Sequence, residues 1–379
     1  MRIEAVTAYP LSFSIPTEHQ VKLGIGNTVK RDAVLVEVET DIGITGWGEA
    51  HAARAVTAIA ELINTTLRQL VVGMDGRDID AVWEKIYRMQ LASHGAGAAA
   101  AIGLSGIDLA LWDIRGKELG QPLYQLLGGT AKSIPAYAGG ISLGFQALPE
   151  LISETDKLIS AGFSALKLRL GDSPQRDIER VQAVRKHVGD AISIMSDVNT
   201  AYNLPQIAEI MPILDEAKIA WLEEPFPAHD YKSYVAARAL GRTPLAAGEN
   251  HYTRFEFERL KDDGAITIWQ PDLSKTGGIS EGLRIAKMAA GIGTTIHPHT
   301  SVTSLNMSAS IQFLCAINNA GYFEADCSTF NPFRNELCSP GYTDIGDGTV
   351  RPLNAPGLGI EVNESLLAKY VAIPGPGYV

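Results

Sequence analysis

Three carboxylates recur at a fixed interval: Asp197 ends the run ISIMSDVN, Glu223 lies in IAWLEEP and Glu249 in LAAGEN. The steps from 197 to 223 and from 223 to 249 are both 26 residues, the length of one strand–helix unit. Carboxylates at the ends of consecutive strands stand side by side at one height. Hard oxygen donors placed this way, with water and substrate completing an octahedron, suit Mg²⁺; zinc would call for histidine or thiolate. A single such residue is as easily a helix N-cap or a salt-bridge partner. Three in register, buried without a cation, would repel and raise one another's pKa. Asp197, Glu223 and Glu249 are therefore the expected ligands of one Mg²⁺ per chain.

The series continues with Asp272 in WQPDLSKTGG, 23 residues after Glu249, and His299 in IHPHTS, 27 after Asp272. A carboxylate beside an imidazole fixes its tautomer and stabilises its protonated form, which is what a general base needs. His297, two residues earlier, raises the alternative of a zinc-type His-x-His pair. The complete oxygen set three strands before it weighs against that. The remaining histidines, His19, His51, His94, His187, His229 and His251, are expected to be structural or exposed. Lys167 and Arg169 in SALKLRLG are two apart and so share one face of a strand, with Leu166, Leu168 and Leu170 on the other. Charges inside a barrel are costly unless they meet anions, so this pair is suited to a substrate carboxylate. Lysine becomes a base when its pKa is depressed; arginine stays protonated and acts as a clamp. Glu324 in GYFEAD, held protonated, could donate a hydrogen bond to a developing oxyanion; a strand-end salt bridge is the competing account.

The elements that must position these residues fall into three zones. Alternating stretches at Ile3–Tyr9, Ala33–Glu39 and Thr45–Ala50 predict a small antiparallel sheet, followed by helices over 53–70, 79–89 and 98–119. From Ser133 to Glu324, eight candidate strands alternate with helices, which favours a parallel barrel over an open doubly wound sheet. A Pro- and Gly-rich tail follows and is expected to return towards the first zone. The expected division is an α+β capping domain over 1–125, a barrel over 126–325 and a returning segment over 326–379. The polar, glycine-containing segment Pro16–Asp32 is a candidate flap over the barrel mouth, with Lys22 as a candidate substrate contact.

Composition narrows the function classes. The chain has 379 residues, 46% of them hydrophobic and 20% charged, and a net charge of −11, which argues against a nucleic-acid partner. No apolar run approaches the ~18–20 residues of a membrane span, and the first residues lack a signal-peptide pattern. Three cysteines without CxxC spacing fit a reducing, cytoplasmic location. Gly24-Ile25-Gly26-Asn27 lacks the rest of a dinucleotide fingerprint, so nucleotide binding is not expected.

The ordered set Asp197, Glu223, Glu249, Asp272, His299 and Glu324 resembles the mandelate racemase subgroup of the enolase superfamily, over nearly the whole chain. GWGEA at 46–50 and SGIDLALWDIRGK at 105–117 are similar to recurring segments of its capping domain. The resemblance implies an α/β fold, a modified (β/α)₇β TIM-like barrel whose α+β cap is completed by the C-terminal tail. It also implies Mg²⁺-dependent removal of the proton α to a carboxylate, Asn199 as a substrate contact, a homo-oligomer, and a small carboxylate substrate such as a sugar acid or its lactone. One departure matters. The second strand of the family usually ends Lys-x-Lys, and Arg169 stands here in place of the second lysine. Two-base racemisation then lacks its second base unless Lys167 changes role. One-base β-elimination is favoured, as in acid-sugar dehydratases and galactarolactone cycloisomerase-like members. LSGIDLALWDIRGK and NPFR at 331–334 are nearest to that branch. A racemase or epimerase, and a non-catalytic binding barrel, are the alternatives.

Overall fold

The computed structural model describes residues 1–93, 95, 97–300, 302–342 and 345–379; His94, expected to be structural or exposed, lies outside them. Strands β1 (Ile3–Ser14), β4 (Lys30–Thr40) and β5 (Thr45–Ala50) form an antiparallel sheet. Between β1 and β4 lies a short hairpin of β2 (Lys22–Leu23) and β3 (Gly26–Asn27). The helix Ala98–Leu119 packs on β5 so closely that only glycine fits: a Cβ on Gly46 would lie 2.2 Å from Ala110 O, and one on Gly48 2.1 Å from Gly106 O. The two motifs that stood out in the sequence are thus the two faces of one contact. Asp113, buried in that helix, ties it down by accepting from Trp47 N at 3.0 Å and Leu358 N at 2.8 Å.

The second zone is a parallel ring. It comprises β6 (Ile134–Gly139), β7 (Ala165–Arg169), β8 (Ser193–Asp197), β9 (Leu222–Glu223), β10 (Leu245–Ala247), β11 (Ile266–Trp269), β12 (Thr295–Ile296) and β13 (Phe323–Asp326). The strand order is β12-β11-β10-β9-β8-β7-β6-β13, and a parallel bridge between Ile296 and Ala320 joins the two ends. Inside the ring Tyr137, Ala165, Met195, Trp221 and Ala246 make a small core of their own, while Leu166, Leu168 and Leu170 face outwards into the larger core against the helices. Alternation along β7 therefore sends Lys167 and Arg169 inwards, as their spacing predicts.

The cap is fastened to the barrel by side chains of helix Ala98–Leu119. Ser105 Oγ accepts from Gly277 N at 2.8 Å, Asp108 Oδ2 from Ser280 N at 3.1 Å, and Trp112 Nε1 donates to Ser280 Oγ at 2.9 Å. The tail returns to β1, where Ser12 N donates to Tyr370 O at 2.9 Å, and then to the hairpin. Among the described residues no helix is long and apolar enough to cross a membrane.

Candidate active site

A cavity of about 430 Å³ opens where the C-terminal ends of the barrel strands meet the cap. That is where a barrel of this kind carries its chemistry, and the size is in the usual range for a small-molecule site. Barrel residues Arg169, Asp197, Asn199, Glu249, His299 and Glu324 line it, together with Leu23, Ile25, Arg31 and Asp32 from the cap.

On β7, Lys167 is buried within three carboxylates. Its Nζ lies 3.5 Å from Asp197, 3.1 Å from Glu223 and 2.7 Å from Glu324. Burial alone would lower its pKa, but Glu223 and Glu324 outweigh it and push it up. These ion pairs favour the protonated form of Lys167. Arg169 pairs with Asp197 and donates to Gly140 O. Burial opposes its charge and Asp197 restores it. Asp197 Oδ1 also accepts from Asn199 N at 2.8 Å, and Asn199 Nδ2 donates to Asp197 Oδ2 at 3.2 Å.

His299 sits between two carboxylates. Its Nδ1 is 2.8 Å from Asp272 Oδ2, and its Nε2 is 3.2 Å from Glu249 Oε2. Burial would lower its pKa; Glu249 and Asp272 reverse that and raise it to about 9. Asp272 is fully buried and held on its other oxygen by Ser274 N and Oγ, both at 2.7 Å, and by Asn306 Nδ2 at 3.0 Å. The loop after His299 is oriented from the cap: Glu49, the acid of GWGEA, accepts from Val302 N and Thr303 N, both at 3.2 Å, and from Thr303 Oγ1 at 2.6 Å. His297 uses both ring nitrogens, with Tyr322 N donating to Nδ1 at 3.0 Å and Nε2 2.9 Å from Thr295 Oγ1. It stays in the barrel interior, 5.1 Å from Trp221 between ring centroids, as a structural neutral imidazole.

Several placements differ from the sequence reading. Glu223 does not face the cavity. Its Oε1 accepts from Lys167, and its Oε2 from Gln270 Nε2 at 2.7 Å and Trp221 Nε1 at 3.3 Å. Glu224 lines the cavity instead, accepting from Asn250 Nδ2 at 3.0 Å on both oxygens. Strand alternation predicts the reverse, but Glu224 has φ 39, a left-handed backbone that turns its side chain round. Among the described residues no three His, Cys, Asp or Glu side chains already converge as a metal cage. Asp197, Glu223 and Glu249 are each drawn instead to a cation of the chain. For Glu324 the sequence offered a protonated donor or a strand-end salt bridge, and the side chain makes the salt bridge, to Lys167 at 2.7 Å. Its contact with Lys167 outweighs burial and holds it down at about 2, so it is a carboxylate here. Lys22 is exposed and does not line the cavity, because β2 alternates and presents Leu23 to it. His51, read as structural or exposed, lines the cavity too, as does Lys275, buried and 3.2 Å from Glu249. Nothing in residue spacing marks them; both arrive on loops, whose paths are not periodic.

The donor set fits a hard divalent cation. Asp197, Glu223, Glu224, Glu249, Asp272 and Glu324 offer only oxygen, and they outnumber the cationic partners Lys167, Arg169, Lys275 and His299 that the chain supplies. A buried excess of carboxylate is unfavourable unless a cation neutralises it.

Comparison with known proteins agrees with this picture. Residues 6–128 match the family described as mandelate racemase / muconate lactonizing enzyme, N-terminal domain, and residues 150–366 match the enolase C-terminal domain-like family. The chain is 31% identical to arabinonate dehydratase of Saccharolobus solfataricus over 97% of its length and 99% of that protein's. It is 33% identical to D-galactarolactone cycloisomerase of Agrobacterium fabrum, covering 92% of this chain and 93% of that one. Among solved structures, a member of the enolase superfamily from Polaromonas sp. JS666 superposes with a TM-score of 0.97 at 51% identity over all of both chains. A racemase from Streptomyces coelicolor A3(2) with bound magnesium gives 0.88 at 25% identity, covering 98% of this chain and 100% of that one. The chain belongs to the mandelate racemase / muconate lactonizing enzyme family of the enolase superfamily, and is an enzyme, a lyase or isomerase, that abstracts a proton and then eliminates or isomerises.

Proposed function

We propose that the chain is an Mg²⁺-dependent dehydratase or cycloisomerase of sugar acids or their lactones, using His299 as its one base. The observation that carries this is the asymmetry of the cavity. His299, held by Asp272 at 2.8 Å, is a titratable base, while the wall at β7 presents Arg169, with Lys167 buried behind it, both kept cationic by carboxylates. A racemase needs a proton acceptor on each face of the α-carbon. Lys167, surrounded by three carboxylates, is held protonated and is unsuited to that role. The names of the relatives, arabinonate dehydratase and D-galactarolactone cycloisomerase, point to the same substrate class.

Asp197 and Glu249 would hold the cation together with Glu224, the acid of the pair that lines the cavity; Glu223 would join them only by turning away from Lys167. When bound, Mg²⁺ supplies a positive charge against the negative charge that develops on the substrate carboxylate. The rest is done by the chain. Arg169 and Asn199 orient the substrate carboxylate. Asp272 keeps a proton on Nδ1 of His299; with Glu249 engaged as a ligand rather than on Nε2, the ring gives up its second proton and Nε2 takes the α-proton. The C–H pair is first taken up by the substrate carboxylate and then moves into a carbon–carbon double bond as the C–O bond at the β-carbon breaks. The leaving oxygen takes a proton back from Nε2, and an enol remains that becomes the 2-keto acid. Lys167 and Glu324 stabilise the charge distribution behind this centre. The division of the chain into cap, barrel and returning tail at 125 and 325 is likewise our assignment.

The test is a panel of mono- and diacid sugars and their lactones, supplied with Mg²⁺ and assayed for 2-keto product or ring-opened isomer in D₂O. A 2-keto-3-deoxy product, or a single-site isomerisation, is expected. Recovered substrate of inverted configuration carrying deuterium, with no keto product, would mark a racemase and refute the reading.

A further inference from the structure

Tyr378 has no part in the chemistry above, yet it lines the cavity. It arrives on a tail strand that the cap hairpin holds through the main chain. Asn27 and Val379 exchange N–H···O bonds of 2.7 and 3.0 Å, and Val29 N donates to Gly377 O at 2.9 Å. Lys30 fastens the approach, its Nζ donating to the carbonyls of Ile373 at 2.7 Å and Gly375 at 2.8 Å. Glycine permits the close pairing on both sides: a Cβ on Gly26 would lie 3.0 Å from Val379 O, and one on Gly377 3.1 Å from Lys30 O.

Opposite Thr28 on this strand, Tyr378 is half-buried, and its ring receives the Arg54 guanidinium 5.1 Å from the centroid. Arg54 and its neighbour Ala53 both have left-handed backbones, φ 58 and 49. Such conformations persist in L residues only where the surroundings impose them, and they cluster at sites of function. The ring thus stands in the cavity wall against Arg54, which lines the same cavity.

We propose that Tyr378 is a specificity-determining residue whose hydroxyl contacts the polyhydroxy chain of the substrate on the cap side, with Arg54 holding the ring. This rests on the sugar-acid reading above. A phenol both donates and accepts, so it suits a run of hydroxyl groups, and a site built around such a bond discriminates against ligands that do not reach it.

The experiment is calorimetric binding to the Mg²⁺-loaded full chain of two probes, tartronate, a short diacid, and galactarate, a long polyhydroxy one. Tyr378→Phe keeps the ring on Arg54 and removes the hydroxyl; Tyr378→Ala removes both. Tartronate affinity is expected to stay within about 2-fold in each variant, while galactarate weakens by about 2- to 12-fold in Tyr378→Phe, the worth of one neutral hydrogen bond, and by more in Tyr378→Ala. Equal weakening of both probes would make Tyr378 merely structural and overturn the proposal. Unchanged galactarate affinity would overturn it too, as would a wild-type chain that binds galactarate no more tightly than tartronate. The sugar-acid reading fails by a different result, the absence of product across the panel, and the binding comparison does not depend on turnover.

Discussion

Replacing Asp272 with Asn should disable the base while leaving the fold in place. In the wild type, Oδ2 of Asp272 faces His299 Nδ1 at 2.8 Å, and Oδ1 accepts from Ser274 N and Oγ at 2.7 Å each. An amide in the same place keeps its oxygen towards Ser274 and turns its NH₂ towards the imidazole. Nδ1 must then accept. The neutral ring carries its proton on Nε2 and has no lone pair left for the substrate. The structure allows two magnitudes. A hydrogen bond to a charged group is worth ~1.5–3 kcal/mol, so at about 1.36 kcal/mol per unit the pKa of His299 should drop by about 1–2 units. The rate should fall by ~10²–10⁴, the usual range for losing a positioned acid–base group.

The sign of the stability effect follows from the same numbers. His299 is raised from 6.5 to about 9 because Glu249 and Asp272 outweigh burial. The folded state therefore favours the protonated ring, by ~3 kcal/mol. That contribution is complete below pH 6.5 and is lost as the pH rises through about 9. In Asp272→Asn the contribution should be smaller and its loss complete at a lower pH, while the onset near 6.5 stays where it is. Histidine NMR titration of the metal-free protein reads the pKa, and kcat with Mg²⁺ reads the base. A pKa still near 9 together with kcat within about 3-fold of wild type would refute the reasoning.

Two further outcomes are expected. Lys167→Met leaves Asp197, Glu223 and Glu324 facing one another without their shared cation, and should destabilise the metal-free chain by ~3–5 kcal/mol in urea unfolding; a change below about 1 kcal/mol would mean that the carboxylates are neutralised in another way. Mg²⁺ at about 100 times its dissociation constant should stabilise the chain by ~2.7 kcal/mol and raise its melting temperature. Asp197→Asn or Glu249→Gln should abolish that rise, and chelation should abolish turnover; a wild-type melting temperature indifferent to Mg²⁺ would count against the ligand assignment.

Much of the site was legible because barrels convert sequence interval into spatial neighbourhood. The 26-residue steps between Asp197, Glu223 and Glu249 mark adjacent strand ends, and the alternation of Lys167 and Arg169 with leucines marks which side faces in. GWGEA and SGIDLALWDIRGK were visible as segments, but the reason for their glycines, helix and strand in backbone contact, was not. Glu224 was missed because alternation assigns it outwards, and its positive φ is a property of the fold's corner rather than of its own residue type. Lys22 was misplaced for the complementary reason: a charge on a candidate flap has no preferred side until the hairpin's pairing is known.

The sequence by itself determined the parts that depend on periodicity and residue chemistry: a parallel barrel under an α+β cap, carboxylates on successive strands, a His–Asp pair, and an arginine where a second base would stand. Tertiary structure alone decided which carboxylate turns to a lysine and which to the cavity, and that the returning tail sets Tyr378 in the cavity wall. Those choices are made by contacts between segments far apart in the chain, such as Asn27 with Val379 or Lys167 with Glu324, and no local pattern carries them.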